Sequence, residues 1–291
     1  MNTWHPDKKW NHVNQIMNTK KIGILIVGEA HLNDERQNTI ESMPRSRLRV
    51  LHSEDLISPN ARGVAIVLNK ELTETENVKA IEIVPGRALL IETCWHQNEK
   101  LSILGVYAPV NPIENTRFWS SISQFFEENP SIRKPDVMAG VMNVTEDPID
   151  RFSARNDYGS GVDSLDEMRS SLHLIDGWQD CYPTTLKYTW RHTATGTQSR
   201  LDRIYVKNSI NEYCYEWAIK KSGVPTDHDM VSVMPLHIVK DSKVKGFLLN
   251  AGRALQKDIE KYATDEHQTP SMNPQTMWEK FSKDLHTLAQ Q

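Results

Sequence analysis

The sequence predicts a sheet-based α/β (α+β) domain over residues 1–237, followed by a helical appendage over 238–291. Three observations carry this reading. Short apolar runs of strand length recur between Ile22 and Met234, with turn residues between them. A few amphipathic stretches interrupt these runs, so strands are mixed with helices. After Pro235 the strand-length runs stop and only helical spacing remains.

The elements follow in order. Trp10, Val13, Ile16 and Met17 share one helical face. Ile22–Val27 is apolar at nearly every position, which predicts a strand buried on both sides and placed in a sheet interior. Strands are expected at Arg62–Leu68, Val78–Val84, Ala88–Thr93 and Leu101–Tyr107, with a turn at Pro85-Gly86. A helix from about Glu114 to Glu128 carries a core-facing stripe of Phe118, Trp119, Ile122, Phe125 and Phe126. A strand at Asp136–Met142 and a helix near Asp163–Leu172 come next, then strands at Arg203–Val206, Tyr213–Lys220 and Met230–Met234. In the appendage, Leu248, Ala251, Leu255, Ile259 and Tyr262 form one helical repeat. Trp278, Phe281, Leu285 and Leu288 form another, and Pro270 and Pro274 lie between the two.

Composition narrows the function classes. With 291 residues, 38% hydrophobic and 25% charged, the chain can bury a sizeable core. A formal charge of −4 gives no broad basic footprint for non-specific nucleic-acid binding. Cys94, Cys181 and Cys214 are too few and too scattered for a disulfide framework or zinc motif, which fits a reducing compartment. No signal-peptide core and no membrane-spanning run is visible, so a soluble intracellular protein, nuclear or cytoplasmic, is expected. Nothing in the sequence points to a protein partner.

Five short segments carry candidate chemistry, and each has a bland reading beside the functional one. Glu29 follows the first apolar strand, where a carboxylate is often only a solvated strand end. Tyr107 closes a strand in Val106-Tyr107-Ala108-Pro109 and reads equally as a core tyrosine. Asn143 follows Gly140-Val141-Met142, a place where Asn commonly serves a turn. Asp202, in Ser199-Arg200-Leu201-Asp202-Arg203, reads by default as a surface salt-bridge partner. Asp227-His228 is the sharpest signal, because an acid beside an imidazole suits both metal binding and proton transfer.

In this order the five segments are far more specific than any one alone. Together they resemble the endonuclease/exonuclease/phosphatase (DNase I-like) superfamily over about residues 10–235. The run Asn143–Arg151 and Trp190 ahead of the Arg-Leu-Asp segment favour the endonuclease domains of non-LTR retrotransposons. The resemblance implies a four-layer α/β sandwich of two facing mixed sheets flanked by helices, and Mg²⁺- or Mn²⁺-dependent cleavage of a phosphodiester in DNA. It implies Glu29 and Asp227 at the metal, His228 oriented by Asp202 at the scissile phosphate, and Asn143 and Tyr107 positioning phosphate and water.

Two departures bear on activity. The family aspartate that orients or deprotonates the attacking water falls on Val141, whose isopropyl group accepts no proton. No residue before Trp10 matches the metal-proximal Asn of the family's first strand, so that strand is expected to be missing. The leading expectation is therefore a retrotransposon-derived, endonuclease-like protein with impaired cleavage. The alternatives are a non-catalytic nucleic-acid-binding or interaction module, a phosphodiesterase or phosphatase using Asp136, Glu146 or Asp147 instead, and a decayed element. Asp136 is the weakest substitute, since it lies at the other end of its strand, about 15 Å from Val141.

Overall fold

The computed structural model describes residues 6–55, 63–95, 99–157, 159–235, 242–261 and 273–289. It divides into two units, Met1–Met234 and Pro235–Gln291. The chain runs through α1 (Pro6–Thr19), β1 (Ile24–Gly28), α2 (Asp34–Glu41), β2 (Leu48–Ser53), β3 (Val64–Asn69), β4 (Lys79–Val84), β5 (Ala88–Cys94) and β6 (Lys100–Tyr107). It continues through α3 (Pro112–Glu128), β7 (Val137–Val141), β8 (Arg151–Phe152), α4 (Gly159–Ser171), β9 (Leu174–Asp176) and α5 (Gly177–Cys181). Then come β10 (Trp190–Arg191), β11 (Gln198–Ser199), β12 (Asp202–Lys207), α6 (Asn208–Asn211), β13 (Cys214–Lys220) and β14 (Met230–Pro235).

The central layer is a six-stranded sheet in the order β4-β5-β6-β7-β12-β9. Only β6 and β7 run parallel, joined by the α3 crossover; the other neighbours are antiparallel. One face carries Leu90, Leu104, Val106 and Met138 and is covered by Phe118, Trp119 and Ile122 of α3 with Leu165 and Met168 of α4. The other face packs Leu89, Ile91 and Ile103 against Val64, Ile66 and Leu68 of β3. β3 belongs to an antiparallel sheet ordered β1-β3-β2. Its outer side, with Ala65 and Val67, is closed by Trp10, Val13 and Met17 of α1 and Ile40 of α2. Helices, sheet, sheet and helices make four layers, as the family resemblance implies. Beyond β1, the pair β13-β14 packs Trp217, Ile219, Val231 and Val233 over the β9–β12 end of the large sheet.

The structure corrects the reading of Ile22–Val27. The strand is Ile24–Gly28, all five residues are half-buried, and it pairs with β3 along one edge. Among the described residues its second edge has no strand partner. Apolar sequence predicted two covered faces, and two faces are indeed packed, but it does not determine how many edges are paired. Several elements escaped the sequence reading, α2 and β2 among them. α2 is polar on all sides except Ile40 and is announced only by its N-cap Asn33, whose side chain accepts from the Arg36 amide at 2.9 Å. β2 hides its apolar alternation among arginines and a histidine.

In the second unit, α7 (Ser242–Lys261) and α8 (Pro274–Ala289) pack against each other. Arg62, Tyr262 and Pro270, which figured in the sequence reading, lie outside the described residues. Among the described residues no helix is long and apolar enough to cross a membrane.

Candidate active site

Strand register builds the floor of the site. Tyr107, Val141 and Asp202 are directly opposite one another across β6, β7 and β12, so their side chains share one face of the large sheet. Gly140 makes this alignment possible. Its φ is +142°, and a Cβ there would lie 1.9 Å from the Val106 carbonyl oxygen, so only glycine lets the two strands approach. Tyr107 is buried, and the Arg87 guanidinium lies 5.1 Å from its ring centroid.

The remaining groups come from strand exits. Glu29 leaves β1 with φ +50°, a left-handed conformation uncommon outside glycine, and so turns toward β6. The Tyr107 hydroxyl donates to Glu29 Oε1 at 2.6 Å. Asn143 leaves β7 with φ +51° and donates from Nδ2 to the Ala108 carbonyl at 2.7 Å, which leaves its own carbonyl oxygen as the atom able to address the site. Strained backbone at both positions is a feature that clusters at functional sites.

Asp202 and His228 are brought together, with Nδ1 of the imidazole 2.8 Å from Asp202 Oδ2. The segment carrying His228 is pinned by its neighbours. Asp229 donates its amide to the Thr189 carbonyl at 2.6 Å, and the Trp190 Nε1–H donates to Asp227 Oδ2 at 2.8 Å. Burial works against the charged imidazole. The hydrogen bond and charge of Asp202, helped by Asp227 and Glu29, outweigh it and hold the His228 pKa above the ordinary histidine value. These residues line a cleft of about 650 Å³ that also contains Trp190, Arg151 and Asp157.

Val141 sits in the middle of the floor. A Cβ placed on Gly28 would lie 3.0 Å from Val141 Cγ2 and 3.1 Å from Tyr107 Cδ2, so the isopropyl group fills the space between β1 and the Tyr107 ring. It packs with the inter-sheet core. The three carboxylates considered as substitutes are engaged elsewhere or turned away. Asp136 accepts from Lys207 Nζ at 2.9 Å, Arg133 at 2.8 Å and the Ser102 amide at 3.0 Å. Glu146 is held by the Tyr205 hydroxyl and by Arg169 and Arg203, each at 3.3 Å. Asp147 is exposed and does not line the cleft.

Sequence reasoning missed the network behind the site. Arg200, 1% exposed, binds Asp150 at 2.7 Å, Asp176 at 2.6 Å and Gln179 at 2.5 Å, with its guanidinium 5.1 Å from the Trp178 ring. Arg203, also buried, binds Asp150 at 2.5 Å and Asp176 at 2.6 Å. The default reading of this segment as surface salt bridges is thus corrected. Asp157 was also missed. It accepts from the Thr145 amide at 2.8 Å and from Arg151 at 2.7 Å, and no local pattern announces it.

A divalent cation would look to Glu29 and Asp227, acids that line the cleft together with His228. Such a hard ion takes about six oxygen ligands. Among the described residues no group of three or more His, Cys, Asp or Glu side chains converges on a point. Glu29 accepts from Tyr107 and Asp227 from Trp190, each at one carboxylate oxygen, and Mg²⁺ commonly completes its shell with waters around one or two carboxylates, while position 141 adds no oxygen. The cleft's own side chains offer an imidazole whose charged form Asp202 favours, a phenol, a carboxamide and a hydrogen-bonded carboxylate.

These layers and this site define a DNase I-like fold of the endonuclease/exonuclease/phosphatase type, as solved in several nucleases. The AP endonuclease LMAP from Leishmania major superposes with a TM-score of 0.64 at 14% identity, over 77% of this chain and 81% of that one. The 3′ phosphatase NExo from Neisseria, bound to a product DNA hairpin, gives 0.63 at 14% identity over 79% and 95%. The endonuclease domain of TRAS1, a telomere-specific non-LTR retrotransposon, gives 0.56 at 14% identity over 78% and 92%. In sequence, the chain is similar to the Transposon TX1 uncharacterized 149 kDa protein of Xenopus laevis, 28% identical over 171 residues. That match covers 58% of this chain but only 13% of the length of the Xenopus protein. No family model matches the sequence.

Proposed function

We propose that this chain is a retrotransposon-type endonuclease-fold module that binds a DNA phosphate in the Glu29–His228 cleft and cleaves it poorly or not at all. The carrying observation is Val141, an alkyl group midway along the row Tyr107–Val141–Asp202. DNA as the partner is supported by the fold's likeness to an AP endonuclease and to a phosphatase bound to a DNA hairpin.

Binding follows from the side chains that remain. With Nδ1 committed to Asp202, a protonated His228 presents Nε2–H to the cleft, and a charge-assisted hydrogen bond to a phosphate oxygen is among the stronger kinds. Asn143 orients the water or sugar beside it. Tyr107 and Arg87 keep Glu29 in place. Cleavage needs one thing more, a group that takes a proton from the attacking water as the pentavalent state forms. Loss of a general base typically costs ~10²–10⁴-fold in rate. Of the acids that could substitute, Asp136 is committed to Lys207 and Arg133 and Glu146 to Tyr205, Arg169 and Arg203, while Asp147 does not line the cleft.

The test pairs cleavage with binding. Supercoiled plasmid incubated with the protein and Mg²⁺ or Mn²⁺ should be nicked no faster than with His228→Ala. A labelled duplex should bind with salt-dependent anisotropy, more weakly in His228→Ala. Robust nicking that His228→Ala abolishes would overturn impaired catalysis. Absence of binding at low salt would overturn the DNA reading.

A further inference from the structure

Outside the cleft, the fold brings together two thiols that lie far apart in the sequence. Cys181 ends α5, Cys214 opens β13, and both are free. The elements that carry them are in close contact. A Cβ on Gly177 would collide with the Trp217 ring, so the start of α5 rests directly on β13. Residues four apart share a helix face, so Cys181 points the same way as Gly177, one turn further along.

β13 carries Cys214 to the matching place. Tyr215 and Glu216 are both exposed, and Glu216 has φ +51°, so the strand's alternation is broken as it is at a bulge. Cys214 and Trp217 therefore face the same side, and both pack in the cluster that holds Trp178 of α5. A second contact fixes the direction. Asn211, just before β13, donates from Nδ2 to Asp180 Oδ2 at 3.1 Å, next to Cys181. The path from Trp217 back to Cys214 thus follows α5 from Gly177 to Cys181.

We propose that Cys181 and Cys214 are a redox pair that closes into a disulfide when hydrogen peroxide reaches this face, clamping α5 to β13. Cys181 is exposed and reacts first. Its thiolate attacks one peroxide oxygen, the O–O bond breaks, and a sulfenic acid forms as hydroxide leaves and takes up a proton. Cys214 then attacks that sulfur. The S–S bond forms, the S–O bond breaks, and the thiol proton leaves with the hydroxyl group as water. The thiols lose two electrons in all, and the peroxide is reduced to two waters.

The surroundings set the pace of this chemistry. Burial, helped by Asp180, holds the Cys181 thiol above its ordinary value, and burial together with Cys181 pushes Cys214 up to about 11. Since only the thiolate attacks, the pair stays reduced longest at neutral pH and closes faster as pH rises. The clamp bears on the buried arginine network. Gln179 of α5 accepts from Arg200 at 2.5 Å, and Asp176, which caps α5, accepts from Arg200 at 2.6 Å. Neither His228 nor bound DNA enters, so this inference is independent of the DNA reading.

The test treats the full chain with hydrogen peroxide at neutral and at alkaline pH, blocks remaining thiols with iodoacetamide and maps unreduced peptides by mass spectrometry. A Cys181–Cys214 linked peptide should form, faster at the higher pH, with Cys94 alkylated and dithiothreitol restoring both thiols. The oxidised protein should resist urea, with its folded-to-unfolded ratio raised roughly 100-fold by the closed loop. Cys181→Ser, at an exposed position, should fold normally and show neither the link nor the shift. Oxidation of Cys181 to sulfinic acid with Cys214 untouched would overturn the proposal, as would a dimer linked through Cys181. A link that brings no gain in urea resistance would overturn the clamp equally.

Discussion

Asp202 and Arg203 are consecutive residues of β12, and they face opposite ways. On the Arg203 side, two guanidinium groups share Asp150 and Asp176 at 2.5–2.7 Å, all four side chains under a tenth exposed. On the Asp202 side, one imidazole and three hydrogen-bonded groups surround an alkyl side chain on the floor of an open cleft. The first is closed on itself. Burial alone would raise the carboxyl pKa of Asp150 and of Asp176, yet Arg203 and Arg200 hold both below the usual carboxylate range. The second is paired as well, Asp202 with His228 and Tyr107 with Glu29, but its groups line an open cleft and, Tyr107 apart, are at most partly buried. The comparison teaches that abundant acids do not make an active site: Glu146, Asp150 and Asp176 belong to structure, and the position facing the cleft lacks one.

The largest effect should come from breaking the closed side. Asp150→Ala leaves two buried guanidinium groups short of a partner, and removing one member of a buried pair typically costs ~3–5 kcal/mol. Urea unfolding should show that loss, with His228 still titrating in the folded protein. Because the folded pKa values of Asp150 and Asp176 are depressed, their stabilisation is present above the ordinary carboxylate value. It disappears as pH falls through the lowered values. A loss below about 1 kcal/mol would mean the two sides of β12 are less different than their geometry says.

Next in size is the change that would make the open side resemble the family pattern. Val141→Asp removes an alkyl group packed against Tyr107 and sets a carboxylate directly opposite Asp202. The lost packing and cross-strand repulsion should cost ~1–3 kcal/mol. Nicking should rise by less than the ~10²–10⁴-fold that a well-placed base supplies. A full gain from this single change would show that position 141 alone separates this chain from an active nuclease. Calorimetry with Mg²⁺ should find no micromolar site in the unaltered protein.

What the sequence revealed divides along the same line. The row of strands from Val64 to Val141 was legible because each is a short apolar run with a turn beside it. The meeting of Asp202 with His228, 26 residues apart in the chain, was legible only through the order of motifs. Arg200 and Arg203 were not legible as core residues, since nothing local distinguishes an arginine that will find Asp150 and Asp176 from one bound for solvent. Val141 could be named as a substitution, but its packing against Tyr107 depends on β1 crossing over β7, which one strand's pattern cannot encode. The open edge of β1 was legible only through the resemblance, as the place beside a strand expected to be missing, and not from the apolar run itself. Apolarity reports covered faces, and edges are decided by topology.

A smaller effect concerns His228. Its pKa is raised in the folded protein, so the stabilisation from its charged form is complete below the ordinary histidine value. It is lost as pH rises through the folded value. DNA binding should weaken over the same rise. Asp202→Asn removes the main counter-charge, so the imidazole signal should titrate at lower pH by NMR and binding near neutrality should fall roughly fivefold. An unchanged titration would show that the 2.8 Å contact does not set the charge of the site.

The smallest effect should come from Trp190→Phe, which sharpens the question of what holds His228 in position. The indole N–H to Asp227 contact, at 2.8 Å, is exposed, and an exposed hydrogen bond contributes little beyond what water offers in its place. The backbone links of this segment do not need the indole. Asp229 still donates to the Thr189 carbonyl, and residue 190 still bridges residue 228 as an isolated β-pair. The Asp227 charge also persists, so its upward pull on the His228 pKa should remain. Stability should therefore fall by no more than ~1 kcal/mol, and the His228 titration should move far less than in Asp202→Asn. If the two variants shift it equally, the segment is positioned by the Trp190 side chain and not by strand-like backbone pairing. The open side of β12 would then depend on a single surface contact where the closed side has a buried network.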